Sequence, residues 1–183
     1  QTNDLSRIVD EFSRFARMPE PDKKSEDIIQ IINSAISLQE NGLPEIAFKK
    51  NIIDGPIMFE VDATMISQAL INLLKNAGES IASRMSKAES PNVSGQIKVI
   101  ANLSGNFLKV SIFDNGLGLP EDRARLFEPY VTTRENGTGL GLAIVKKIIE
   151  EHGGTFRLED ALEYKNSGIV GAAAIIELPI YSV

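Results

Sequence analysis

The sequence has no cysteine and only one histidine, His152, in 183 residues. Without cysteine there are no disulfides, no thiolate metal sites and no cysteine nucleophile, and one imidazole cannot form a multi-histidine metal site. No apolar run approaches the roughly 20 residues that span a bilayer, and the polar segment 1–10 lacks a signal-peptide pattern. We therefore expect a cytoplasmic segment without membrane contact. Because the chain begins inside a helical pattern, we also expect it to be part of a larger protein.

Charge and composition narrow the possible partners. The formal net charge is −6, and hydrophobic and charged residues make up 43% and 24% of the chain. These proportions are ordinary for a globular protein, and the length suits one domain better than two. A mildly acidic chain is poorly suited to nucleic-acid binding, which depends on many cationic contacts to phosphates. A single nucleotide is compatible, because one phosphate site needs only local donors.

An amphipathic helix is predicted at the start of the chain. Its apolar residues recur at helical spacing, at Leu5, Ile8, Val9, Phe12 and Phe15. Prolines at 19 and 21 end the pattern, and we interpret the charged segment 20–26 as a linker. This divides the chain into 1–19, 20–26 and a main domain at 27–183. The apolar stripe either pairs with a neighbouring unit, such as a second copy of the helix, or packs on its own domain.

The main domain is predicted to be an α+β sandwich. Hydrophobic periodicity predicts helices near 25–41, from 62 into 83–88, and near 140–151. It predicts strands near 46–52, 57–61, 96–103, 107–113, 155–159 and 169–178. Hairpin signals are present, and the strict alternation of a doubly wound sheet is not. We therefore expect a mixed, mostly antiparallel sheet with helices on one face.

The long helix carries the first group of candidate functional residues. Asn72, Asn76 and Glu79 share an arc beside its apolar stripe. A carboxamide oxygen there can coordinate Mg²⁺, which takes few protein ligands and completes its shell with water and phosphate oxygens. The alternative is a pair of solvated asparagines on a helix surface.

The second group follows a predicted strand. Asp114 stands where the strand ends, and its carboxylate can accept a hydrogen bond from the adenine amine. Guanine has a carbonyl at that place, which would face the carboxylate unpaired. Gly116 and Gly118 would let the backbone approach a base closely. The alternative is an ordinary turn after a strand.

The third group is Gly137-Thr138-Gly139-Leu140-Gly141-Leu142, which opens a helix. Free N–H groups and the helix dipole favour anions there, although the spacing matches neither the P-loop nor the dinucleotide fingerprint. We interpret the preceding segment, 126–134, as a lid. Phe127 and Tyr130 would anchor it, and Arg134 would reach a terminal phosphate. The alternatives are a flexible helix start and a solvated arginine.

Four segments follow one another along the chain: the asparagine helix, the Asp-x-Gly-x-Gly turn, Phe127-Glu128-Pro129-Tyr130 and the glycine-rich helix start. In this order they resemble the N, G1, F and G2 boxes of sensor histidine kinases. The resemblance extends from about residue 25 to the C-terminus. The stretch 12–19 resembles the end of the histidine-bearing dimerisation hairpin of the nitrogen-regulation, or NtrY, type. The resemblance implies a Bergerat-type two-layer α/β sandwich, the fold of gyrase, Hsp90, histidine kinases and MutL, with ATP and Mg²⁺ as cofactors.

The same resemblance implies roles for individual residues. Asn76 would bind Mg²⁺, Asp114 would hold the adenine amine, and Gly139, Leu140 and Gly141 would offer main-chain contacts to the phosphates. The other implied ATP-binding residues are Glu79, Gly116, Gly118, Leu119, Thr133, Arg134 and Thr138. Glu79 departs from the family, in which a basic residue often stands at that position. Lys75 lies at a different helix phase.

The activity implied is that of the catalytic half of a protein-histidine kinase. It would donate the γ-phosphate of ATP to a histidine on a separate dimerisation domain, for relay to an NtrX-like response regulator, in a parent anchored in the inner membrane. The phosphoacceptor hairpin of the family carries a histidine. The single histidine here, His152, instead ends the last predicted helix near the favourable end of its dipole. We therefore expect no autophosphorylation by this chain alone.

Two other functions are compatible with the sequence. Hydrolytic relatives place a glutamate base where this chain has Asn72, so Asn72 is the predicted catalytic position that distinguishes a kinase from an ATPase. A nucleotide-sensing interaction module is the non-enzymatic alternative.

Overall fold

A computed structural model describes residues 2–87, 89–123, 125–128 and 140–180. The helices are α1 (Thr2–Ala16), α2 (Ile28–Gly42), α3 (Ala63–Met85) and α4 (Gly141–Glu151). The strands are β1 (Lys24–Asp27), β2 (Ala47–Ile52), β3 (Met58–Val61), β4 (Gln96–Ser104), β5 (Phe107–Asp114), β6 (Thr155–Ala161) and β7 (Gly171–Pro179). A 3₁₀ helix at Leu162–Ser167 joins the last two strands.

The main sheet has five strands in the order β2-β4-β5-β7-β6. Among the described strands of this sheet, β2 and β4 pair in parallel, and the other three pairings are antiparallel. A separate two-stranded ribbon pairs β1 with β3. The predicted mixed, mostly antiparallel sheet is therefore confirmed.

The core lies on one face of this sheet, beneath α2, α3 and α4. Alternate residues of the central strands point into it, among them Ile97, Val99, Leu108, Val110 and Ile112. The predicted stripe of α3 is buried against them, at Ile66, Ala69, Leu70, Leu73, Leu74 and Ala77. The opposite face carries a small cluster around Ala173 and Ile175, which Tyr164 of the 3₁₀ helix partly covers. These are the two layers that the sequence predicts.

The start of the main domain differs from the sequence prediction. Residues 24–27 form β1, paired with 58–61, where the sequence predicts a linker and then a helix from 25. Asp27 accepts hydrogen bonds from the N–H groups of Ile29 and Ile57, both at 3.1 Å, so helix α2 begins after it. A four-residue polar strand leaves no periodic signal, which is why sequence reading misses it. The division of the chain into a hairpin end at 1–19, a linker at 20–26 and an ATP-binding domain at 27–183 stays a prediction.

Helix α1 meets the rest of the chain at its C-terminal end. Phe15 and Met18 pack against the core, and the Lys147 Nζ lies 5.5 Å from the centre of the Phe15 ring. Leu5 and Val9, earlier in the same stripe, are 65% and 52% exposed. Of the two alternatives for the apolar stripe of α1, packing on its own domain therefore applies to the C-terminal end of the helix and not to its first half.

His152 is the C-cap of α4, as predicted, but its environment favours a neutral ring. Its Nε2 accepts from the N–H of Asp62 at 3.0 Å, and Nδ1 donates to the carbonyl of Ile148 at 2.7 Å. Burial lowers the pKa of the imidazole below its ordinary value. The residue thus joins the end of α4 to the start of α3 through hydrogen bonds, and does not serve as a cation at a helix dipole.

We expect His152→Leu to lower the free energy of unfolding at pH 8 by about 1–3 kcal/mol, because the buried N–H of Asp62 loses its acceptor. The difference from the wild type should shrink as the pH falls below the ordinary histidine pKa. The unfolded wild type takes up a proton there before the folded one, so the wild type itself loses stability. Urea unfolding at several pH values measures this, and a pH-independent difference would contradict it.

Candidate functional site

Helix α3 presents the candidate polar residues beside its buried stripe. Asp62 caps the helix by accepting from the N–H of Met65 at 3.1 Å, which fixes where the helix starts. Asn72, Asn76 and Glu79 are partly buried, whereas Lys75 is exposed. Asn72 and Asn76 lie about 6 Å apart along the axis, at a rise of 1.5 Å per residue. The α-helical spacing places these three residues on the predicted arc, and Lys75 lies at its exposed edge.

The amide of Asn76 lies beside the start of α4. A Cβ built on Gly141 would stand 3.8 Å from Nδ2 and 4.0 Å from Oδ1 of Asn76. The first helical bond of α4 runs from the N–H of Ile144 to the carbonyl of Leu140, and no side chain of the described residues caps the helix. The N–H groups of the first turn are not used by the helix ladder, and they favour anions. The carboxamide oxygen of Asn76, a ligand type that suits metal ions, therefore lies beside the N–H groups at the start of α4, which favour anions.

Asp114 lies at the end of β5, and the residue is 6% exposed. Burial raises the pKa of this carboxyl group to about 7, although hydrogen bonds from the N–H groups of Gly116 and Ala172 favour the charged form. Its Oδ1 accepts from the N–H of Gly116 at 2.9 Å. A carboxylate buried at this cost is a strong acceptor for a donor brought by a ligand.

A set of side chains missed in the sequence holds the Asp114 turn in place. Asn115 accepts from the N–H of Gln96 and donates to the carbonyl of Ser94, both at 2.8 Å. The Ser80 hydroxyl accepts from the N–H of Leu117 at 2.9 Å, and Arg84 Nε donates to the carbonyl of Asn115 at 2.5 Å. The sequence does contain a signal for Arg84. This residue continues the apolar stripe of α3, and a charged residue in such a stripe indicates a buried side chain with hydrogen-bond partners.

The two glycines of the turn are required by contacts within the protein. A side chain at Gly116 would collide with Ser80 of α3. Gly118 has a φ of 79°, which favours glycine, and a side chain there would meet the carbonyl of Val170. The sequence predicts that these glycines let the backbone approach a ligand, and in the structure they allow close packing of the turn within the protein. Leu119 follows them and is partly buried.

A cavity of about 510 Å³ adjoins the turn. Its walls are Arg84, Gly116 and Leu117, with Lys87 and the segments 89–91 and 168–170. Asn76 and Asp114 are not part of these walls. The candidate site is therefore defined by its polar side chains and not by this cavity.

Several predicted residues lie outside the described part of the chain, namely Tyr130, Thr133, Arg134, Thr138 and Gly139. Phe127 lies within it. Its ring packs edge-on against Phe156 at 5.3 Å, and the Lys146 Nζ lies 5.2 Å from its centre. Phe127 is thus attached to the body of the domain, as predicted. In the described ranges, no three His, Cys, Asp or Glu side chains cluster to hold a metal ion.

The family described as histidine kinase-, DNA gyrase B- and HSP90-like ATPase matches residues 61–181. The chain belongs to this family, and within it is a catalytic, ATP-binding domain of the histidine-kinase type. The nitrogen regulation protein NtrY of Azorhizobium caulinodans is 51% identical over 92% of this chain and 22% of its own length. The chain therefore spans about a fifth of this relative. The predicted likeness to the NtrY type is confirmed.

Solved structures agree with this assignment. Full-length ShkA in complex with AMPPNP has a TM-score of 0.78 at 25% identity, over all of this chain and 37% of that one. Histidine kinase ThkA in complex with the response regulator TrrA has a TM-score of 0.74 at 28% identity, over 98% of this chain and 49% of that one. Across the residues that the structure describes, we find no helix with the length and apolar character needed to cross a membrane.

The raised pKa of Asp114 predicts that this residue costs stability at high pH. A pKa moved from 3.8 to about 7 corresponds to at most about 4 kcal/mol. We expect Asp114→Asn to raise the free energy of unfolding at pH 8 by about 1–3 kcal/mol. The gain should shrink as the pH falls through 7, because the folded wild type then takes up a proton more readily than the unfolded chain.

Urea unfolding between pH 5 and 8 tests this, with the exposed Asp122→Asn as the control. A loss of stability in Asp114→Asn at pH 8 would show that the charged carboxylate supports the fold and contradict the prediction.

Proposed function

We propose that this chain binds Mg²⁺-ATP and donates the γ-phosphate to a histidine outside the chain, for relay to a response regulator. The observation that carries the proposal is the meeting of Asn76 with the start of α4 at Gly141. Asp114, whose turn is held beside α3 by the contact of Leu117 with Ser80, would form the other end of the site. One nucleotide can use both ends, with phosphates at α4 and the base at Asp114.

The base end is suited to adenine. The Asp114 carboxylate accepts from the exocyclic amine, and Gly116, Gly118 and Leu119 form the adjoining turn. Guanine would place a carbonyl oxygen against the carboxylate, leaving two buried acceptors face to face. A mismatch of this kind is rejected by several kcal/mol, of the order of 10⁴-fold. The site should therefore distinguish ATP from GTP.

The phosphate end combines amides with a metal ligand. Main-chain N–H groups of Gly139, Leu140 and Gly141 would donate hydrogen bonds to phosphate oxygens at the positive end of α4. The Asn76 carboxamide oxygen suits Mg²⁺, which takes few protein ligands when phosphates complete its shell. When bound, the ion supplies neutralisation of phosphate charge. Thr133, Arg134 and Thr138 are proposed as further phosphate contacts, and Glu79 stands where many relatives have a basic residue.

The reaction is phosphoryl transfer to nitrogen. An imidazole nitrogen of the acceptor attacks the γ-phosphorus, the bond to the bridging oxygen breaks, and ADP leaves. Catalysis of this kind depends on positioning and charge neutralisation. Asn72 cannot take a proton from water at neutral pH, so the site lacks the base for efficient hydrolysis at that position. His152 is an unsuitable acceptor, because it is buried and both ring nitrogens are hydrogen-bonded.

The partners follow from the same proposal. The acceptor histidine lies on a dimerisation domain of the parent kinase, and α1 would be the end of its hairpin. An NtrX-like response regulator would receive the phosphoryl group, in line with the NtrY relative and with the ThkA complex with TrrA. The domain would act in the cytoplasm, with the parent anchored in the inner membrane.

Calorimetric titration tests the nucleotide site. We expect AMPPNP with Mg²⁺ to bind and the guanine analogue to bind at least about 100-fold more weakly, because of the unpaired carbonyl. Asp114→Ala should abolish the preference. Asn76→Ala should remove the dependence of affinity on Mg²⁺ and retain the preference for adenine. Equal binding of both bases by the wild type would contradict the assignment of Asp114.

Phosphoryl transfer needs a second experiment. The chain is mixed with radiolabelled ATP and the histidine-bearing hairpin of the Azorhizobium relative. We expect label on the hairpin histidine and release of inorganic phosphate close to the background rate. Rapid phosphate release without labelling would favour an ATPase, and binding without either product would favour a nucleotide-sensing module.

A further inference from the structure

Arg84 is a buried cation whose hydrogen bonds converge on the Asp114 turn and the loop beside it. The residue is 4% exposed, near the end of α3. Its Nε donates to the carbonyl of Asn115 at 2.5 Å, and Nη2 donates to the carbonyl of Val93 at 2.8 Å. Nη1 donates to Ser90 Oγ at 3.3 Å and to the carbonyl of Pro91 at 3.2 Å. The guanidinium is thus satisfied by neutral oxygens, mainly of the backbone.

One peptide unit connects this cation to the base-reading carboxylate. The carbonyl of Asn115 accepts from Arg84 Nε, and the N–H of the same peptide group, on Gly116, donates to Asp114 Oδ1 at 2.9 Å. Hydrogen bonds in series polarise one another, so a cation at the carbonyl strengthens the N–H as a donor. The chain of bonds therefore runs from a guanidinium, through one peptide group, to a carboxylate.

We propose that Arg84 is a positioning residue for base recognition, which fixes the orientation of the Asp114 carboxylate through the peptide group between Asn115 and Gly116. This rests on the proposed function, in which Asp114 accepts from adenine. Arg84 does not need to touch the nucleotide for this role.

The geometry makes the guanidinium difficult to replace. Its other arm is held by the loop at 90–93, and the Asn115 side chain is tied to residues 94 and 96. The turn is therefore clamped on two sides and cannot follow a shifted donor. A lysine at this position keeps the charge, but its single ammonium group cannot reproduce the planar set of directions.

The test compares Arg84→Met and Arg84→Lys with Ile36→Val, which removes one methyl from the core on α2 and leaves the turn alone. Binding of Mg²⁺-AMPPNP and of the guanine analogue is measured by calorimetry, and melting temperatures are recorded for all variants. Ser90→Ala is the matched local control, because it removes one contact of Arg84 that does not lead to Asp114.

We expect both Arg84 variants to bind the adenine analogue at least about tenfold more weakly, the effect of losing a hydrogen bond to a charged group. Their preference for adenine over guanine should fall by a similar factor, and exchange of the Gly116 amide proton should accelerate. Ile36→Val and Ser90→Ala should keep the wild-type preference at whatever melting temperature they show. If Arg84→Met does not fold, Arg84→Lys decides.

Arg84 variants that keep the wild-type base preference, or that weaken both analogues only as Ile36→Val does at a matched loss of melting temperature, would overturn the proposal. Failure of the proposed function is distinguished by the wild type. If the wild type shows no nucleotide binding or no preference for adenine, both the proposed function and the proposed role of Arg84 are wrong.

Discussion

The packing of α3 against one face of the sheet is the interaction on which the site depends. One flank of the helix is buried from Met65 to Ile81, and this fixes the rotation of the helix about its axis. Once that rotation is set, Asn76 must face the start of α4, and Ser80 must face the turn after β5. The hydrophobic effect is non-directional, but by fixing the rotation of α3 it sets the directions in which Asn76 and Ser80 point.

Asp114 and His152 show that burying a titratable group can lower or raise stability. Asp114 is kept in a place where its charge is disfavoured, and the fold tolerates it because two backbone N–H groups and a tightly held turn compensate in part. His152 illustrates the reverse case, a titratable ring whose neutral form supports the fold. Burial raises the pKa of Asp114 and lowers that of His152, so the two residues have opposite effects on stability as the pH falls.

Much of this was predictable from the sequence, for local reasons. The helices and long strands follow from apolar periodicity, and the three polar segments are contiguous motifs. The strand β1 was not predictable, because it is short and polar and depends on β3, more than 30 residues away. The contacts of Ser80 and Arg84 with the turn were missed for the same reason. Each joins α3 to a segment over 30 residues later, through hydrogen bonds that leave no periodic pattern.

The two edges of the five-stranded sheet carry charge along their length. On one edge, β2 exposes Lys49 and Lys50, and on the other, Arg157 of β6 pairs with Glu159 and with Glu177 of β7. An incoming strand from another molecule would have to bury or displace these ions. Addition of a strand from another copy of this domain is therefore disfavoured, even at high local concentration.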